Sequence, residues 1–253
     1  MILLPLLALA AQSPFPGPDP LARCAALVKS EPQKAVELAG DWRIRGGGLP
    51  ARQCLGLAYV ALERWPSAAA AFEQAALEAE TAGDPRRADF WVQSGNSWLA
   101  ANDGAKARRA FDSALATTLL TPELRGEVHL DRARAAVALG DAAAGRADID
   151  KGLELVPSDP FAWYLSAALA QREGAVERAK ADIARALALA PDDADVLLQA
   201  GNIAGASGDV AAARAFYDRA AKADPAGQAG KAALAALAAN PAAPPAPAPA
   251  KPN

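Results

Sequence analysis

Apolar and small residues recur at helical spacing, four residues and then three, in five places along the chain. They are Ala68, Phe72 and Ala75; Ala107, Phe111 and Ala114; Gly145, Ile149 and Gly152; Ala179, Ile183 and Ala186; and Ala213, Tyr217 and Ala220. Residues so spaced share one face of an α-helix. Ahead of each triplet stands another stretch with a small residue at its centre: Gly56, Gly95, Ala133, Ala167 or Gly201. The pattern predicts pairs of helices. A small residue on the first, facing an alanine of the second, lets their backbones approach closely, while the aromatic or isoleucine fills the space between pairs.

The punctuation is periodic too. Pro157, Pro191 and Pro225 lie 34 residues apart, and Gly140, Gly174 and Gly208 keep the same interval, as do Ala133, Ala167 and Gly201. Glycine suits the tight turn between the helices of a pair, proline ends each second helix, and Asp159, Asp192, Asp193 and Asp224 suit caps of the helix that follows. The two earlier intervals between small residues are 39 and 38. These place insertions near Thr81 to Pro85 and Thr118 to Pro122. Repetition of one supersecondary unit means an array in which neighbours bury each other's apolar faces.

These marks resemble the tetratricopeptide repeat, an antiparallel helix pair with Trp, Leu-Gly and Tyr on its first helix, Ala, Phe and Ala on its second, and a closing Pro. Leu55, Gly56 and Tyr59 match in one unit; Trp91, Gly95 and Trp98 in the next; then His129, Ala133 and Ala136; Trp163, Ala167 and Ala170; and Leu197, Gly201 and Ala204. The resemblance implies an all-α, right-handed solenoid of stacked antiparallel helix pairs. Its five repeats would span 49–82, 88–121, 126–159, 160–193 and 194–227. A degenerate hairpin over 21–48 and a helix over 228–240 would cap it, giving about thirteen helices. Residues 1–10 are expected as a signal peptide, 11–20 as a proline-rich linker, and 241–253 as a disordered Pro/Ala tail.

Composition narrows the role. Hydrophobic residues make up 52% but aromatics only 6%, so alanine-lined helix packing is favoured over strands. A net charge of −3 argues against a nucleic-acid surface, which needs clustered cations. The apolar start, ending in Ala8-Leu9-Ala10, is too short to span a bilayer comfortably and points to export, with no integral membrane segment once it is cleaved. Arginine outnumbers lysine and alanine and proline abound, as in a GC-rich bacterial genome, so the expected location is the periplasm; the alternative is anchoring by an uncleaved N-terminal segment. Cys24 and Cys54 fit one disulfide in that oxidising compartment, with two buried thiols as the alternative. Lipidation of Cys24 is discounted, because Arg23 occupies the small-residue place.

Chemistry is hard to find. His129 is the single histidine and occupies a packing slot, no set of metal ligands has the right spacing, and Gly46 to Gly48 lack the trailing Lys-Ser or Lys-Thr of a phosphate cradle. Asp148 and Asp150 read as solvated surface. The chain is therefore expected not to be an enzyme and to need no cofactor or metal. The family resemblance implies instead a concave groove that takes a peptide or partner protein. Gln93, Asn96, Asp131, Arg134, Tyr164, Gln171, Gln199 and Asn202 would face it, with Asn96, Arg134 and Asn202 in equivalent rows. Val92, Leu130, Tyr164 and Leu198 stand where one variety of the family places the first lysine of a carboxylate clamp, so that clamp is incomplete. The function expected is a non-catalytic protein-protein interaction scaffold; the alternative is a permanent structural subunit of a cell-envelope complex.

Overall fold

The structure, a computed structural model, describes residues 19–240. The expected leader, residues 11–18 of the linker and the Pro/Ala tail lie outside them. Thirteen α-helices and no strand occur among the described residues, in two compact units that meet in sequence at Leu119 and Leu120. The first unit holds α1 (Pro20–Ser30), α2 (Pro32–Ile44), α3 (Gly48–Ala61), α4 (Trp65–Ala82), α5 (Arg87–Ala100) and α6 (Gly104–Leu115). The second holds α7 (Pro122–Ala138), α8 (Ala142–Leu155), α9 (Pro160–Arg172), α10 (Val176–Leu189), α11 (Ala194–Ala206), α12 (Val210–Ala223) and α13 (Gln228–Ala239). Within each unit every helix packs on its successor in the chain.

Local chemistry sets the helix limits. The Asp103, Asp141 and Asp209 carboxylates accept from the amides of Lys106, Ala144 and Ala212, starting α6, α8 and α12. Thr121, Asp159 and Asp193 cap α7, α9 and α11 in the same way. Asp224, expected as a cap, instead accepts from Gly227 in the turn before α13. Inside each pair the chain reverses through one left-handed residue: Gly140, Gly174 and Gly208 have φ of 80°, 73° and 83°. Glu63 and Asn102 take the same place in the first unit at φ of 56° and 57°. The turn geometry is thus kept where glycine is not.

The two helices of a pair interlock through one slot, so the filler expected between pairs meets the small residue of its own pair. A methyl group added at Gly56, Gly95 or Gly201 would come within 2.5, 2.4 and 2.4 Å of the rings of Phe72, Phe111 and Tyr217. Where the slot holds Ala133 or Ala167, the residue sixteen positions later is Ile149 or Ile183 rather than an aromatic. Slot and filler trade volume, which keeps the interior close-packed from pair to pair. In the first unit, Cys24 of α1 and Cys54 of α3, 30 positions apart in sequence, form a disulfide with Cα atoms 5.9 Å apart. It lies buried against Ala39, Trp42 and Ala51, and closing such a loop is worth roughly 3 kcal/mol.

One aspartate departs from the sequence expectation of a solvated surface. Asp148 is 7% exposed. Its carboxylate takes bonds from Arg132 at 2.9 and 2.6 Å and faces His129 Nδ1 at 2.9 Å. Burial alone would raise its pKa, but the hydrogen bonds from His129 and Arg132 and the arginine charge outweigh that and hold it below the ordinary value. Asp182, one repeat later, is equally buried and accepts from Ser166 Oγ at 2.5 Å. Burial became possible because each acid faces a donor on the first helix of its own pair, at position 132 or 166. A reading of single helix faces does not see that partner.

Candidate partner-binding face

The first helices of the second unit, α7, α9 and α11, present a recess of about 400 Å³. Its lining comes from all three: Arg134 of α7; Pro160, Phe161, Tyr164 and Leu165 of α9; Asp195 and Val196 of α11, with the capping Asp193. A smaller hollow of about 150 Å³ continues from it, sharing Arg134, Tyr164 and Leu165 and reaching Arg172. The floor is aromatic. Phe161 and Tyr164, one turn apart on α9, stack with centroids 6.0 Å apart and planes 15° from parallel, and Phe161 remains 40% exposed.

Charge is divided across this floor. On the α7 side, Arg134 donates to Asp131 at 2.9 Å and holds its guanidinium carbon 5.8 Å from the Phe161 ring centre. On the α11 side stand two carboxylates, Asp193 and Asp195. Burial, followed by the fields of Asp195 and Asp193, pushes the Tyr164 phenol above its ordinary pKa, while Arg134 pulls the other way. The phenol therefore stays protonated and able to donate. An aromatic floor between a cation and two acids can hold a bulky side chain flanked by polar groups.

The residues named from the sequence are distributed unevenly. Arg134 and Tyr164 meet in the recess, with Asp131 beside Arg134. Gln171 and Gln199 were expected to face an open groove, but they pair with each other: Gln199 Nε2 donates to Gln171 Oε1 at 2.8 Å, and Gln199 is only 8% exposed. Contact between α9 and α11 brings these amides together. Asn202 accepts from the Tyr217 hydroxyl at 3.0 Å, which anchors it to α12. In the first unit Asn96 is exposed and Gln93 half-buried on α5. Phe161, Asp193 and Asp195 were not singled out from the sequence. Phe161 could have been, because it sits one helical turn before Tyr164 on the same face.

Among the described residues no cluster of three or more acids, histidines or cysteines is arranged to hold a metal, and no helix is long and apolar enough to cross a membrane.

The tetratricopeptide repeat family profile matches residues 55–118 and 166–228, together half of the chain. No curated protein matches the sequence. Several solved structures share the fold. PilW, a widely conserved type IV pilus biogenesis factor, is 20% identical with a TM-score of 0.68, covering 85% of this chain and 96% of its own. Pseudomonas aeruginosa PilF is 16% identical with a TM-score of 0.64, covering 86% and 96%. YrrB, a TPR protein with an unusual peptide-binding site, is 17% identical with a TM-score of 0.53, covering 79% and 96%.

Proposed function

Since the chain belongs to the tetratricopeptide repeat family, whose members generally act as non-catalytic scaffolds for other proteins, we propose that it holds a segment of a partner protein across α7, α9 and α11 without transforming it. The observation that carries this reading is the stacked pair of an exposed Phe161 and a half-buried Tyr164, set between Arg134 and the carboxylates of Asp193 and Asp195 at the start of α11. A bulky apolar side chain of the partner rests on the rings. Arg134 turns from Asp131 to a partner carboxylate or carbonyl, through two parallel bonds where a carboxylate is offered. Asp193 and Asp195 favour a basic residue at the other end. The helices that carry these groups are fixed by their own packing, so little is lost in ordering the site on binding.

The setting belongs to the proposal as well. The apolar N-terminal run and the joined cysteines support export to an oxidising compartment, the periplasm of a bacterium. PilW, a type IV pilus biogenesis factor of the same fold, supports an envelope setting but not that particular task. Affinity capture from an envelope extract tests the site. The wild-type protein should retain a partner that the Arg134→Ala, Phe161→Ala double variant recovers at least tenfold less, with helicity unchanged. An identical set of captured proteins would move the site elsewhere. Thiol trapping in intact cells tests the setting, which falls if Cys24 and Cys54 are both found reduced.

A further inference from the structure

The second helices of the second unit repeat every 34 residues, so successive clefts between them can be compared position by position. Between α8 and α10, the chain fills the cleft with its own polar side chains. Arg146 donates to the Ser166 hydroxyl at 2.8 Å and its carbonyl at 3.2 Å, and reaches Glu173 at 3.1 Å. Ser166 in turn donates to Asp182, and Arg178 ties Asp182 at 3.4 Å to Asp150 at 2.5 Å.

One repeat later the same five positions, in the order Arg146, Asp150, Ser166, Glu173 and Asp182, hold Lys180, Ala184, Ala200, Ser207 and Phe216. The cross-link is gone. Lys180 pairs at 3.4 Å with Glu177 on its own helix instead of bridging to α11. What remains between α10, α11 and α12 is a recess of about 300 Å³ walled chiefly by Ile183, Leu187, Ala200, Ile203, Ala204 and Phe216, with Lys180, Ser207 and Asp209 at its edge. Behind it lie the core contacts of Ile183, Val196, Ala200 and Ile203. The corresponding cleft of the first unit has Trp98 where this one has Ala204, with Lys106 4.1 Å above the indole, and its lining includes Glu73 and Arg109. The cleft between α10 and α12 is the apolar one.

We propose that this outer recess docks an acidic segment of a partner protein through one inserted apolar side chain of leucine or phenylalanine size. The apolar walls select the inserted group. Charge selects its surroundings: α10 and α12 carry six cations against four acids, counting the Asp209 that caps α12 and lines the recess, on a chain whose overall charge is −3. An acidic flank is attracted here although the molecule as a whole repels it. The size is at the small end of ligand sites, roughly 300 to 1,000 Å³, which suits one side chain and its adjoining backbone. The site is separate from the recess on α7, α9 and α11 and does not depend on it.

Methyl NMR of the full chain, following Ile183, Leu187 and Ile203, tests this with short synthetic peptides that place leucine between aspartates. These methyls should shift and saturate. Replacing the peptide leucine by serine should weaken binding about thirtyfold, the worth of burying one such side chain. Lys180→Glu should weaken it about fivefold, as expected for one exposed charge. Ala184→Phe, placed on the exposed rim, should block the recess and abolish the shifts while leaving the circular dichroism spectrum unchanged. Phe161→Ala should leave the binding intact. Unmoved methyls with every peptide, equal shifts with lysine-flanked peptides, or undiminished binding to Ala184→Phe would each overturn the proposal.

Discussion

Gly95 offers the sharpest test of how the helix pairs interlock. Adding a Cβ there places it 2.4 Å from Phe111 Cε1 and 2.7 Å from Cδ1 and Cζ, against a ring with no exposed surface. Ordinary carbon contact needs roughly 3.5 to 4.0 Å, so the ring or the helix must move by more than 1 Å. Overpacking of this kind costs about 1–3 kcal/mol, and this contact belongs at the upper end. Alanine regains about 1 kcal/mol of helix propensity over glycine. Gly95→Ala should therefore lose about 2 kcal/mol. Phe111→Ile alone should also destabilise, by leaving a gap. The double variant recreates the Ala167 and Ile183 combination that the chain already uses, and should recover most of the loss. Urea unfolding followed by circular dichroism, with unchanged m-values, gives the coupling energy. It should be about 2 kcal/mol in favour of the double variant. Additive effects, or a Gly95→Ala protein as stable as wild type, would refute the idea that slot and filler exchange volume.

Two further outcomes follow from the same structure. Asp148 titrates below its unfolded value, so its contribution to stability is complete above the unfolded carboxyl pKa and disappears as pH falls through the native one. Unfolding midpoints measured on acidification should decline in that window; Asp148→Asn should flatten the decline and, by weakening the pairing of Arg132, cost roughly 2 kcal/mol at neutral pH. Glu63 holds a left-handed backbone at φ 56°, where a Cβ costs about 1–2 kcal/mol relative to glycine. Glu63→Gly should raise the urea midpoint accordingly, and a lower midpoint would show that the Glu63 side chain makes compensating contacts.

Much of the architecture is legible without coordinates, because it follows from spacing along single helices and from turn chemistry. The triplet around Phe111, the glycines at 140, 174 and 208, and the prolines at 157, 191 and 225 each state a local conformation. Their repetition at 34 residues makes an array the way to bury every apolar face. The left-handed turn at Glu63 carries no sequence signal, because glutamate has no preference for that backbone, whereas Asn102 does carry one, since asparagine tolerates the left-handed region better than most residues.

The candidate partner-binding face was legible only in part. Arg134 and Tyr164 could be placed by their rank on successive first helices. What the sequence alone determined is thus the helix, the turn and the period, which depend on residues a few positions apart. Tertiary structure alone decided which polar groups are free, since that depends on partners 16 to 28 residues away: Gln199 is lost to Gln171, Asp148 is held by Arg132, and Ser166 by Asp182. It also decided that the polar bridge filling the cleft between α8 and α10 has no counterpart between α10 and α12. An empty space is a property of several helices at once, and no single stretch of chain encodes it.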